Sequence, residues 1–217
     1  EGDTSNALGD CSHSEGEYTI ASGHQSHAEG RKQQYTIVGD TEARETQAIE
    51  DYSHAEGIRT TAAGVNSHAE GDETYAYGSD AHAEGRFSCA IGQATHAEGE
   101  NTTAFGLNSH SEGWGTIASA DYSHAEGYRT VTIGDCGHSE GKYTYALGDC
   151  SHSEGTITIA KGDYSHTEGE NTTALGLNSH TEGLYTFASD IADHIEGIGG
   201  IPNCGGVNHV EGFQLYP

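Results

Sequence analysis

Ser67-His68-Ala69-Glu70-Gly71-Asp72-Glu73-Thr74-Tyr75-Ala76-Tyr77-Gly78-Ser79-Asp80 is one copy of a 14-residue unit that recurs along the chain. Aligned on Ser-His-Ala-Glu-Gly, the copies start at Ser12, Ser26, Ser53, Ser67, Ala81, Thr95, Ser109, Ser123, Gly137, Ser151, Ser165, Ser179 and Asp193, and every step but one is 14 residues. A short fixed period marks a stacked architecture in which each unit covers its neighbour. Inside the unit, small residues sit two apart, Ser67 and Ala69 and then Thr74 and Ala76, and each run is followed by a glycine. That alternation is the signature of a strand with one buried face. Gly71 and Gly78, in the fifth and twelfth places, are expected to supply the positive φ of tight corners. Two short strands and two turns then make one coil of an all-β parallel solenoid. Coils stacked at about 4.8 Å would give a rod on the order of 70 Å.

The interior of such a coil must be narrow, because Ser, Thr, Ala and Gly occupy nearly every inward place, as in Thr102 and Ala104 or Thr116 and Ala118. A helix is excluded by the spacing of the apolar residues and by two glycines per repeat, each worth about 1 kcal/mol against helix. Collagen is excluded by the absence of glycine at every third place and by the 2 prolines. With 34 Asp and Glu against 8 Lys and Arg, the formal charge is -26, which argues against nucleic acid or an anionic membrane as partner. No apolar run approaches the roughly 20 residues of a membrane span, and Glu1-Gly2-Asp3 does not open a signal peptide. The repeat predicts a β-roll over residues 1–197, with an insertion or degenerate coil at 31–45, and a cap or joint at 198–217.

The alternation of Ser-x-Ala-x-Gly with Thr-x-Ala-x-Gly resembles the head repeats of YadA-like trimeric autotransporter adhesins. Its Ser-His-Ala-Glu-Gly form is similar to repeats in surface and phage tail-fibre proteins of Gram-positive bacteria. The resemblance implies a left-handed parallel β-roll, three chains assembled side by side, no cofactor, and a place outside the cell, on its surface or on a virion. It also implies attachment to a receptor or service as a rigid spacer. In this chain His and Glu replace the aliphatic residues usual in those strands.

That replacement is uniform. The second place holds His13, His27, His54, His68, His82, His96, His110, His124, His138, His152, His166, His180 and His194, and a last copy adds His209. Two places on stand Glu15, Glu29, Glu56, Glu70, Glu84, Glu98, Glu112, Glu126, Glu140, Glu154, Glu168, Glu182 and Glu196, then Glu211. Residues i and i+2 of a strand share a face, so the coils carry a column of imidazoles beside a column of carboxylates. The outward ninth and eleventh places vary freely by comparison, from Ile20 and Ser22 to Tyr75 and Tyr77. Three readings are open: a solvated surface, charge-assisted hydrogen bonds between neighbouring chains of a homotrimer, or a metal-binding array. The second fits the uniformity best, although the ninth and eleventh places hold most of the large apolar residues. On the second reading, protonating Glu in acid would loosen the assembly.

Ser, His and Asp are plentiful, but each candidate nucleophile recurs from coil to coil, so none has the unique setting catalysis needs. A non-enzymatic fibre segment is therefore expected. The alternative is a ligand-binding solenoid presenting its ladder to metal, ice, mineral or glycan. Arg31, Lys32 and Arg44 mark the insertion as a candidate contact loop, and residues 198–217 suit end-to-end docking. Cys11, Cys136 and Cys150 all occupy the fourteenth place, and Cys136 and Cys150, one coil apart, are close enough on this geometry for a disulfide. Asn101 and Asn171 each open an Asn-Thr-Thr sequon.

Overall fold

The computed structural model describes residues 4–31, 45–199 and 209–211. It divides into units of residues 1–108 and 109–217. Both are parallel β-solenoids, and no helix occurs among the described residues.

In the first unit, five-residue strands such as His68–Asp72 and His82–Arg86 pair in parallel with His68 opposite His82 and Glu70 opposite Glu84. Two-residue strands such as Tyr75–Ala76 and Cys89–Ala90 pair likewise, with Ala76 opposite Ala90. The second unit repeats this, with Glu126 opposite Glu140 in the long strands and Val131 opposite Tyr145 in the short ones. Each coil thus contributes one strand to each of two parallel sheets. The inward places are the expected ones. Ala69, Ala76, Ala83 and Ala90 are fully buried, as are Thr74, Ser88, Thr102 and Thr116. Ile195 is the largest fully buried side chain.

Two sheets this close leave room for little more than a methyl or hydroxyl. In three coils with Ser in the third place its hydroxyl meets the eighth-place Thr, Ser14 with Thr19, Ser111 with Thr116, and Ser153 with Thr158, each at 2.8 Å, whereas Ser139 meets the tenth-place Thr132 at 2.7 Å. Where the third place is Ala, the hydroxyls of Thr60, Thr74, Thr102 and Thr130 are buried without a hydrogen-bond partner among the described residues. Each such hydroxyl carries a desolvation cost. Regular backbone pairing from coil to coil offsets it.

The corners differ from the sequence expectation. The fifth-place glycines do take positive φ, from 104 at Gly85 to 158 at Gly30, but they lie inside the long strand or at its end. The twelfth-place glycines do not adopt the left-handed region. They permit close approach instead: a Cβ on Gly64 would stand 1.9 Å from the Gly78 carbonyl oxygen. The left-handed turns belong to the seventh and fourteenth places, where Arg59, Asn66, Glu73 and Asp80 have φ of 55, 57, 55 and 59. Asn tolerates this conformation better than most residues, which accounts for Asn101 and Asn171 as corner residues and for the Asn-Thr-Thr sequences that follow from them. Non-glycine corners are strained, and hydrogen bonds between coils hold them, as from Asn66 N–H to the Asp51 carbonyl at 3.0 Å and from Asp80 N–H to the Val65 carbonyl at 2.9 Å.

The insertion leaves the stack undisturbed. His27 pairs directly with His54 and Thr19 with Thr46, so no extra coil lies between these strands. The expected contact residues Lys32 and Arg44 lie outside the described residues, as does most of the expected cap at 198–217.

Candidate functional site: the histidine and glutamate ladder

The long strand projects its second and fourth residues outward, and the in-register pairing turns each into a column. The imidazoles stack. In the first unit the centroids of His54 and His68 are 4.7 Å apart with planes at 13°, and those of His68 and His82 are 4.8 Å apart at 7°. In the second unit His110 and His124 lie 4.7 Å apart at 4°, and His138 and His152 4.8 Å apart at 12°. Among the described residues the terminal rings turn edge-on, His13 to His27 at 72° and His194 to His209 at 73°. At many of the rings a carboxylate of the same strand stands beside the imidazole, Nε2 to Oε2 being 3.8 Å at Glu84, 3.7 Å at Glu126 and 3.5 Å at Glu196. These distances exceed a hydrogen bond, whereas at the ends of the column the contact closes to 3.4 Å between His13 and Glu15 and 2.6 Å between His209 and Glu211. The Nε2 atoms of His68, His82, His124 and His138 are covered and make no hydrogen bond among the described residues.

Covering the rings while leaving them unpaired has an electrostatic result. The pKa values of His68, His82, His124, His138, His166 and His180 are lowered from 6.5, first by burial and then by the neighbouring imidazoles, with the carboxylates opposing. His27 shifts the same way for the same leading reasons. These seven rings are therefore mostly neutral at pH 7. In these seven rings the fold opposes protonation of the imidazole.

The metal reading meets a geometric obstacle. His152, Glu154 and His166 offer ligand atoms within 4.8 Å of one another. The His152 and His166 rings are 12° from parallel, however, so their nitrogen lone pairs do not converge. Zinc at about 2.0–2.1 Å from each nitrogen would require the rings to leave the stack.

The other sequence candidates are now placed. Arg31, in the sixth place of its coil, is the last described residue before the insertion and donates its backbone N–H to the Gly57 carbonyl at 3.2 Å. Cys136 and Cys150 are exposed free thiols on the same left-handed corner of consecutive coils. Partial desolvation, then the Cys136 thiol and the carboxylates of Asp149 and Asp135, push the Cys150 thiol up. Cys89, on the short strand, is pushed up to about 11 by burial. The large ninth- and eleventh-place side chains include exposed Tyr77, Phe105, Ile133 and Leu175. Sequence reading missed the ring stacking and a grouping of cations at one corner, which becomes visible once each residue is assigned its place in the coil.

These features define a repeat protein of the parallel β-solenoid class, whose chemistry is carried by columns of like residues. The chain carries YadA-like head repeats: the family model for the YadA head domain repeat (2 copies) matches residues 14–31, 55–81, 69–93, 83–109 and 168–188. No curated protein matches the sequence. Among the described residues no helix is long and apolar enough to cross a membrane.

Proposed function

We propose that the chain is a non-enzymatic, adhesive or structural segment of a fibre outside the cell, with three left-handed rolls meeting through their His and Glu columns. The observation that carries this reading is the in-register ladder of half-covered imidazoles, seven of them with lowered pKa values. A neutral imidazole has one N–H to donate and one nitrogen to accept, and at His82 and His124 the glutamate of the same strand stands just beyond hydrogen-bond reach. Acceptors or donors from a second and third chain would complete it, and the directionality of charge-assisted bonds would set the register between chains. Such an array supplies specificity more than net stability, since desolvation offsets much of each pair. The YadA-like repeats support surface attachment, where three copies of one weak contact act together.

Mass in solution tests the assembly. A particle of three chains is expected. Replacing Glu112, Glu126 and Glu140 together with Ala should shift it toward the single chain with little change in the far-ultraviolet spectrum. A stable monomer of the unaltered chain, or a trimer indifferent to these replacements, would move the interface elsewhere.

An extracellular setting also gives the corner thiols a role, and the disulfide between Cys136 and Cys150 belongs to this proposal. A small disulfide such as oxidised glutathione would be attacked by one thiolate, and the second thiolate would then displace the remaining glutathione, two thiols giving one disulfide. The raised pKa of Cys150 makes closure slow at neutral pH and faster as pH rises. Expected is the loss of two free thiols and two hydrogens of mass without crosslinked chains. Persistence of both thiols under oxidant would exclude the bond.

A further inference from the structure

Cations are scarce, 8 against 34 acids, yet Arg31, Arg59, Arg86, Arg129 and Lys142 all occupy the sixth or seventh place of the coil. In the unit of residues 1–108 this corner neutralises itself. Arg59 pairs with Glu73 of the next coil, and Arg86 stands 3.8 Å from Asp72 and 3.6 Å from Glu100.

In the unit of residues 109–217 the same corner is built from other chemistry. Trp114 and Tyr128 stack with centroids 4.7 Å apart and planes at 9°, and Tyr143 meets Tyr128 edge-on at 5.4 Å. The Arg129 guanidinium lies 5.0 Å from the centre of the Trp114 ring. The Lys142 ammonium lies 5.9 Å from the Tyr128 ring and 5.7 Å from the Tyr143 ring. Among the described residues no carboxylate comes within 4.0 Å of either cation. From Trp114 to Ile157 the sixth and seventh places hold no acid at all, and acids return at Glu170. Arg129, Lys142 and Tyr128 are exposed.

A corner needed only for stacking could use the charge ladder of the first unit. Here the chain instead leaves two cations without carboxylate partners, on an aromatic support, in a protein of net charge -26. We propose that Trp114, Tyr128, Arg129, Lys142 and Tyr143 bind an acidic oligosaccharide whose carboxylates are separated by neutral sugars. The rings offer apolar surface to the C–H faces of pyranoses, and the cations offer charge-assisted hydrogen bonds to a carboxylate. The 4.7 Å step between Trp114 and Tyr128 is comparable to the advance of a sugar chain per residue, so successive sugars can meet successive coils. Charge density selects among anions. Salt screens the distant acids beyond about 8 Å, but a densely sulfated chain or an acidic peptide would extend past two cations into a strongly negative surface. A saccharide with isolated carboxylates would not.

The site ends the strands His110–Trp114, His124–Tyr128 and His138–Lys142, two residues past the ladder glutamates, and its test reads saccharide binding rather than the mass of the particle. The chain's 1 tryptophan is part of the site, which makes its fluorescence the reporter. The intact protein is titrated with a hyaluronan oligosaccharide, a neutral chito-oligosaccharide of equal length and oligoglutamate at physiological salt. A saturable change is expected with hyaluronan, with affinity at least about 10-fold lower for the other two ligands and for the Arg129→Gln/Lys142→Gln double variant. Arg86→Gln should bind as the unaltered chain does. No saturable response to hyaluronan, equal binding by the double variant, or equal binding of oligoglutamate would overturn the site, whatever the mass of the particle.

Discussion

Gly127→Ala should cost upwards of about 4 kcal/mol, or prevent folding of the second unit, whereas Gly134→Ala, seven residues on, should cost about 1–3 kcal/mol. The added methyl would be badly placed at both, 2.2 Å from the Gly141 carbonyl oxygen at Gly127 and 1.8 Å from that of Gly148 at Gly134. Backbone conformation separates them. Gly127 has φ of 115, a region closed to residues with a Cβ, and has no way to relax while its strand stays paired on both sides. Gly134 lies outside the left-handed region, and Glu50, Ala120 and Asp190 fill the same twelfth place in other coils. The backbone there evidently shifts to admit a side chain. Urea denaturation followed by circular dichroism measures both, and equal losses would contradict the distinction.

Acid should destabilise the fold in a window that opens near pH 6.5. The groups concerned are His27, His68, His82, His124, His138, His166 and His180, whose folded pKa values are lowered, chiefly by burial. Above pH 6.5 both states are mostly neutral and the full stability is present. Below it the unfolded chain takes up protons that the stacked rings refuse, so stability falls as pH drops through the lowered values. Each proton of difference is worth at most about 1.4 kcal/mol per pH unit, and the partial exposure of the rings reduces this through solvent screening. Seven such groups titrating together still give a large slope. The urea midpoint is expected to fall between pH 7.5 and 5.5, and His124→Gln/His138→Gln should flatten the dependence. A midpoint that holds or rises over this range would show that relief of repulsion among the acids outweighs the ladder.

The walls of the roll were legible in the sequence because their rule has period two. Ser67, Ala69, Thr74 and Ala76 announce an inward face, and the structure buries all four. The ladder was legible for the same reason, His68 and Glu70 being two apart. The stacking of its rings was not, because it depends on contacts 14 residues away and on rotamers. The corners were misread. Tyr52 and Arg59 carry no local mark of a left-handed residue, and their strain is held by bonds to other coils, such as Tyr52 N–H to the His24 carbonyl at 2.9 Å. The cation grouping was hidden by sequence distance: Arg86, Arg129 and Lys142 look scattered until each is given its place in the coil.

The left-handed residue every seven positions has a consequence for how such a chain can change length. Arg59, Asn66, Glu73 and Asp80 divide the coils into halves of equal size that end in the same conformation. Losing or gaining fourteen residues would join identical ends and leave each column intact. Losing seven would also join matching corners, but it would send every following His-x-Glu strand to the opposite wall, splitting the imidazole column between two sides of the roll. Genetic expansion and contraction of this protein should therefore occur in whole coils, enforced by the face the strands present and hardly at all by the turns that connect them.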